Sequence, residues 1–161
     1  MAGTSAFSRF QPWVTLVVRV AAGVVMVSAG MAKALDLGAS VRATRGYELL
    51  PEWAVQIVGQ GLPFAEVLLG IMLILGLATR WSAAIYLLLL AAFMVGTASA
   101  WARGLNIDCG CFGGDGTLGE GVKADYLGHM LDQLAFTAFG AWVFAFPRSR
   151  FSVDGWLRAS D

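Results

Sequence analysis

Long apolar runs alternate with short polar breaks along the chain. The runs cover residues 13–32, 54–79, 82–101 and 124–146. Each is close to the roughly 20 residues that an α-helix needs to cross a bilayer's hydrocarbon. Trp13 stands where an interfacial aromatic anchor belongs. Ala22, Gly23, Ala29 and Gly30 in the first run would let a neighbouring helix come close. Pro63 falls inside the second run and predicts a kink, tolerable where neighbours satisfy the freed carbonyl. Only Arg80 and Trp81 separate the second run from the third, so those two helices must be adjacent and antiparallel. The pattern predicts an all-α fold, an integral membrane four-helix bundle formed as a single membrane domain over residues 1–161.

The breaks have characters of their own. Residues 1–12 are a polar lead with one charge, Arg9. Between residues 33 and 52, Val41, Tyr47, Leu49 and Leu50 predict a short amphipathic helix on the membrane surface, ended by Pro51. Residues 102–123 form a polar loop carrying seven glycines. Pro147 and Arg148 stop the last run, and Phe151 and Trp156 give the tail an interfacial patch. The first run is too long for the apolar core of a cleaved signal peptide, which has about 7–15 residues.

Composition strengthens the membrane reading. Hydrophobic residues make up 58% of the 161 and charged residues 14%, and the mean hydropathy is +0.69. A soluble domain is roughly half apolar and a quarter charged, so lipid is the expected surrounding. Zero net charge with scattered basic residues excludes nucleic-acid binding as the main task. An even number of spans puts both termini on one side. Lysine and arginine counts tie between the two faces: Arg9, Arg80, Arg148, Arg150 and Arg158 against Lys33, Arg42, Arg45, Arg103 and Lys123. The terminal face has few acids, Asp154 and Asp161, while the loop face has seven. That asymmetry predicts cytoplasmic termini and places the loop outside.

The 102–123 loop holds the only two cysteines, Cys109 and Cys111, with Gly110 between them. Such a pair reads as a redox or metal device. A disulfide across one residue closes a small strained ring, which makes it easier to reduce. Gly110 removes a crowding Cβ, and Gly113 and Gly114 let the backbone turn and leave the sulfurs open. A static staple over so short a loop would remove little chain entropy. The reading is thiol–disulfide exchange, with an oxidising compartment suiting it. The alternative is a soft-metal site for copper or mercury, built from Cys109, Cys111 and His129. Asp108 beside Cys109 disfavours the thiolate, whereas a nearby Lys or imidazolium favours it.

Asp125, His129 and Asp132 share one helical face at i, i+4 and i+7, directly after the loop. His129 with Asp132 can shuttle protons to and from the thiols. The plainer reading makes Asp125 a helix N-cap and His129 a headgroup-layer hydrogen bonder. Lys33 and Asp36 lie at the same membrane face and either join the cluster or anchor the interface. The candidate catalytic set is therefore Cys109, Cys111, His129, Asp132 and Lys33. Arg19 and Glu66 are charges inside spans and hence functional candidates. Running in opposite directions, their helices would bring them near one level, giving an ion pair or shared network that includes Asp36. The plainer reading has Arg19 snorkel and Glu66 take up a proton. Met26, Met31, Met72, Met94 and Met130 are scattered over several helices and read as core packing.

Taken together, these residues resemble the DoxX/MauE group of four-span bacterial membrane proteins. The resemblance is carried by Arg19 with Ser28-Ala29-Gly30-Met31-Ala32-Lys33 and Asp36, by Tyr47-Glu48-Leu49-Leu50-Pro51, by Pro63 with Glu66 and Gly70, and by Cys109-Gly110-Cys111-Phe112-Gly113. The last is similar to the hallmark of the MauE branch, named for methylamine utilisation. The resemblance implies a redox role at Cys109 and Cys111 and an extracytoplasmic thioredoxin-fold or other thiol protein as partner. It also implies membership of a larger membrane complex, as for DoxX-type relatives with a sulfurtransferase and superoxide dismutase. The fourth span departs from the group in lacking an Arg–Asn pair near Leu131 and Asp132. A quinone is the candidate final acceptor, by analogy with other four-helix disulfide-forming proteins. The rival roles are soft-metal transport and a non-catalytic assembly subunit.

Overall fold

A computed structural model describes residues 3–110, 113–119 and 121–159. The described residues form helices α1 (Gly3–Ala34), α2 (Leu37–Gly46), α3 (Glu52–Leu75), α4 (Thr79–Ala102), α5 (Tyr126–Ala145) and α6 (Val153–Ala159). Arg9–Ala34, Glu52–Leu75 and Thr79–Ala102 are long and apolar enough to cross a membrane. Large apolar side chains such as Val17, Ile57, Leu68, Leu88 and Val95 point outward from them, which suits lipid as the solvent and makes the chain a membrane protein. Helix α5 coincides with the expected fourth span. Its first half carries His129, Asp132 and Gln133, and it is not among those three.

Helices α1 and α3 form the main seam, and small residues explain its closeness. A Cβ on Gly23 would stand 2.7 Å from the Gly70 carbonyl oxygen, and one on Gly70 equally close to that of Gly23. Gly30 sits in the same way against the Pro63 carbonyl. The two helices therefore run antiparallel, with Gly23 level with Gly70 and Gly30 with Pro63. The core between α1, α3 and α4 is built by Ala22, Met26, Leu69, Leu73, Tyr86 and Leu90. Helix α5 packs on α4 and α1, and the Tyr86 hydroxyl donates to the Phe136 carbonyl at 3.2 Å.

Several boundaries differ from expectation. Residues 3–12 continue α1 through Pro12 rather than forming a separate lead. Helix α2 stops at Gly46, not at Pro51, which instead opens α3. Leu49 and Leu50 are exposed outside α2, while Val41 is buried within it. Ser40 donates to the Gly59 carbonyl at 2.7 Å, so α2 lies against α3. Gly76, left-handed at φ 70, ends α3, and α4 starts at Thr79, so Arg80 and Trp81 belong to a helix. The tail folds back as α6, where Asp154 accepts from the Ala78 and Thr79 amides at 2.8 and 2.7 Å.

Candidate functional site

The loop joining α4 to α5 is tied at its base. Asn106 donates to the Val122 carbonyl at 2.9 Å and accepts from the Ala124 amide at 2.8 Å, holding the two arms together. Tyr126 donates to the Leu105 carbonyl at 2.5 Å and stacks on Trp101. The loop then lies down on α2. Gly110 has φ 63, and a Cβ there would stand 2.9 Å from the Ala43 Cβ. A side chain would thus be both strained and crowded at this position. Gly114, at φ 107, passes so close to the Asp108 carboxylate that a Cβ would meet it at 2.6 Å.

This seating buries Cys109, so Gly113 and Gly114 do not leave its sulfur open as expected. Its carbonyl accepts from the Tyr47 hydroxyl at 2.9 Å, across 62 residues of sequence. Its Sγ stands 3.6 Å from His129 Nδ1. Asp125 caps α5 by accepting from the Gly128 amide at 3.0 Å, and His129 follows one turn later, facing the loop. Ligand atoms of Asp108, Cys109 and His129 lie within 4.8 Å of one another. The imidazole can accept the thiol proton or, when cationic, favour the thiolate, while Asp108 opposes that charge. Asp132, exposed on the next turn, makes no hydrogen bond or ion pair among the described residues. Cys111 lies outside the described residues.

Beneath the loop, Lys33 and Glu66 form an ion pair at 2.6 Å, at 6% and 1% exposure. The Lys33 ammonium also sits 5.1 Å from the centre of the Phe93 ring. Glu66 Oε2 has no hydrogen-bond partner among the described residues. The expected Arg19–Glu66 pairing does not form, and the seam explains why. Glu66 is level with Val27, so Arg19 lies about 12 Å away along the axis at 1.5 Å per residue. Side chains also lean toward the N-terminus of their helix. Lys33 and Glu66 therefore lean toward each other, and Arg19 leans away. Arg19 instead donates to the Ile74 carbonyl at 3.3 Å, the Phe151 carbonyl at 3.1 Å and the Ser149 hydroxyl at 2.9 Å. Asp36 is not in a buried network either: it is exposed, caps α2 through the Ala39 amide at 2.8 Å and stands 3.8 Å from Arg42.

Lys33 lines two cavities. One, of about 310 Å³, is mostly apolar, lies between α2, α3 and α4, and reaches Cys109 and Gly110. The other, of about 320 Å³, is polar and is lined by Asp36, Arg42, Gly113, Gly114 and Asp115. Two tyrosines escaped the sequence reading as site residues. Tyr47 appeared only as part of an amphipathic helix and a family pattern, and Tyr126 carried no signal at all.

Spanning helices below a loop that pairs a buried sulfur with an imidazole define a membrane protein with a chemically equipped loop at one face. The family model described as "Methylamine utilisation protein MauE" matches residues 11–146, and the chain belongs to the MauE family. No curated protein and no solved structure matches it significantly.

Proposed function

We propose that the chain is a thiol–disulfide relay of the bacterial inner membrane, working with an extracytoplasmic thioredoxin-fold or other thiol protein. The observation that carries this reading is the Cys109 sulfur buried 3.6 Å from His129 Nδ1. In the reading, α5 is a fourth span, the termini are cytoplasmic, and the loop faces outward. The family's association with methylamine utilisation makes maturation of an exported protein of that process the natural setting.

His129 accepts the Cys109 proton, and the thiolate attacks a partner disulfide, releasing one partner thiolate. Cys111 then attacks the Cys109 sulfur of the mixed disulfide and releases the second. The partner gains two electrons and the Cys109–Cys111 pair loses two; the reverse sequence oxidises the partner. After the reverse sequence the pair is left as two thiols, and a membrane acceptor takes two electrons and two protons from it to restore the disulfide. Thiol exchange of this kind proceeds through the mixed disulfide, so trapping it is the test. With Cys111→Ser, a covalent adduct between Cys109 and a partner should accumulate in intact cells. No adduct with either single serine variant, together with full activity of the double variant, would overturn the relay.

A second reading has one specific support, the Asp108, Cys109 and His129 donors within 4.8 Å. It is a soft-metal site, and it predicts copper or mercury bound at one ion per chain in reduced protein. Metal-free reduced protein after incubation with copper(I) and gel filtration would remove it.

A further inference from the structure

The apolar cavity under the loop reaches two groups that seldom meet, the buried thiol residue Cys109 and the buried ammonium of Lys33. We infer that this cavity is the binding site for the relay's acceptor, a lipid-soluble quinone. The inference rests on the relay reading for its redox step, but not for the binding itself.

The occupant's chemistry follows from the walls. The lining is predominantly apolar, and the cavity lies among membrane-spanning helices, with Leu62 and Leu89 on its walls. Its volume falls within the roughly 300–1,000 Å³ of small-molecule sites. A water-soluble acceptor would be poorly solvated there, whereas a substituted ring with an apolar tail would be at home. The polar atoms in that wall are few and aimed. The Lys33 ammonium carries three N–H donors, of which Glu66 Oε1 takes one. The remaining donors suit a ring carbonyl oxygen. Phe93 and Tyr47 supply aromatic faces on the same walls.

The redox balance closes with a quinone and with few other lipid-soluble molecules. Oxidising two thiols to one disulfide breaks two S–H bonds, forms one S–S bond and releases two electrons and two protons. A quinone accepts both electrons and both protons at its two carbonyl oxygens and leaves as a quinol. Charge developing on the oxygen nearest Lys33 is stabilised by the ammonium, and Glu66 keeps that ammonium in place. A second, more polar cavity on the other side of Lys33 has Asp36, Arg42 and Asp115 in its wall.

The test uses the full chain in detergent micelles and ubiquinone-1 as the probe, with binding read by isothermal titration. Wild type and the Cys109→Ser/Cys111→Ser variant should both bind it saturably. Ala92→Trp, entering the cavity from an exposed lining position, should weaken binding about tenfold or more through overpacking. Leu88→Trp, on the same helix but lipid-facing and off the cavity, should leave it unchanged. Lys33→Met should weaken binding by about tenfold, the loss of a hydrogen bond from a charged donor. Reduced wild type should also convert one ubiquinone-1 to quinol per chain in the absence of air. Lack of saturable binding, or equal affinity for the Ala92→Trp and Leu88→Trp proteins, overturns the inference even if mixed disulfides form. Binding that responds to Ala92→Trp without quinol formation keeps the pocket but overturns its role as the acceptor site, while the relay itself stands or falls with the mixed disulfide.

Discussion

Helix α1 buries two cations, and the protein treats them in opposite ways. Arg19 is fully buried; its two Nη atoms donate to two carbonyls and a hydroxyl, its Nε has no hydrogen-bond partner among the described residues, and the Asp154 carboxylate of the tail acts on it as an opposite charge. Its guanidinium rests over Gly76, where a Cβ would stand 1.8 Å from Nη1, and the segment around Ser149 and Phe151 closes over it. Lys33, about 21 Å further along the helix, meets a carboxylate and borders open volume on two sides. The planar guanidinium is held by fixed acceptors at both Nη atoms, with Nε left unpaired among the described residues. The result is a packed knot that holds α1, α3 and the tail together. An ammonium–carboxylate pair beside cavities keeps unused hydrogen-bonding capacity, which is what a site needs. Charge is thus buried in two ways in one helix, one packed among fixed acceptors and the other beside open volume.

The comparison can be broken most sharply at Lys33. Lys33→Met should cost about 3–5 kcal/mol, because it strands the Glu66 carboxylate in the interior. Lys33→Met/Glu66→Met should recover most of that loss in denaturant unfolding followed by circular dichroism. Equal losses for the single and double variants would show that the pair is not the cause. Next in size, His129→Gln should slow mixed-disulfide formation by about a hundredfold if the imidazole acts as general base. It should also move the pH dependence of that rate toward that of an unassisted thiol, while leaving the unfolding midpoint in place. An unchanged rate–pH profile would assign His129 to structure alone.

A pair of glycines separates the two faces at smaller cost. Gly76→Ala and Gly110→Ala both force a left-handed backbone, of order 1–3 kcal/mol of strain. The first also collides with the Arg19 guanidinium and should lower global stability. The second should act mainly on the loop and speed alkylation of Cys109. A reversed pattern would mean that the loop, and not the terminal face, holds the bundle together.

The smallest effect lies at the rim of the polar cavity. The Thr117 hydroxyl and amide hold the Asp115 carboxyl below the usual aspartate range. A lowered value means that the contact stabilises the loop above about pH 3.9, the ordinary aspartate value. It is lost as pH falls through the lower folded value. Amide exchange at Thr117 should therefore stay protected down to about pH 3.9 and open only below it. Asp115→Asn should abolish that transition.

How much of this was legible in the residues depended on distance along the chain. The apolar runs announced the spans, and Gly23 and Gly30 announced a close helix neighbour. The cysteine loop and His129 were legible as neighbours because one turn of helix separates them from a shared boundary. The partner of Glu66 was not legible. It depends on how α1 slides against α3, and that offset is set by Gly23 against Gly70 and Gly30 against Pro63. The hydroxyl of Tyr47 reaching the Cys109 carbonyl, and Asp154 capping α4, are likewise products of the assembled bundle. Helix α2 ended early for a local reason that composition hides: Glu48 adopts φ 52, so the chain has already left the helix before Pro51.

Arg19 and its acceptor Ser149 are 130 residues apart in the chain. A ribosome therefore delivers the guanidinium to the bilayer long before the hydroxyl and carbonyl that will receive it. Until the tail emerges, that cation has to shelter in the headgroups or with an insertion factor. Anchoring of the first helix at its final depth is then a late event, completed only when the far end of the polypeptide swings back.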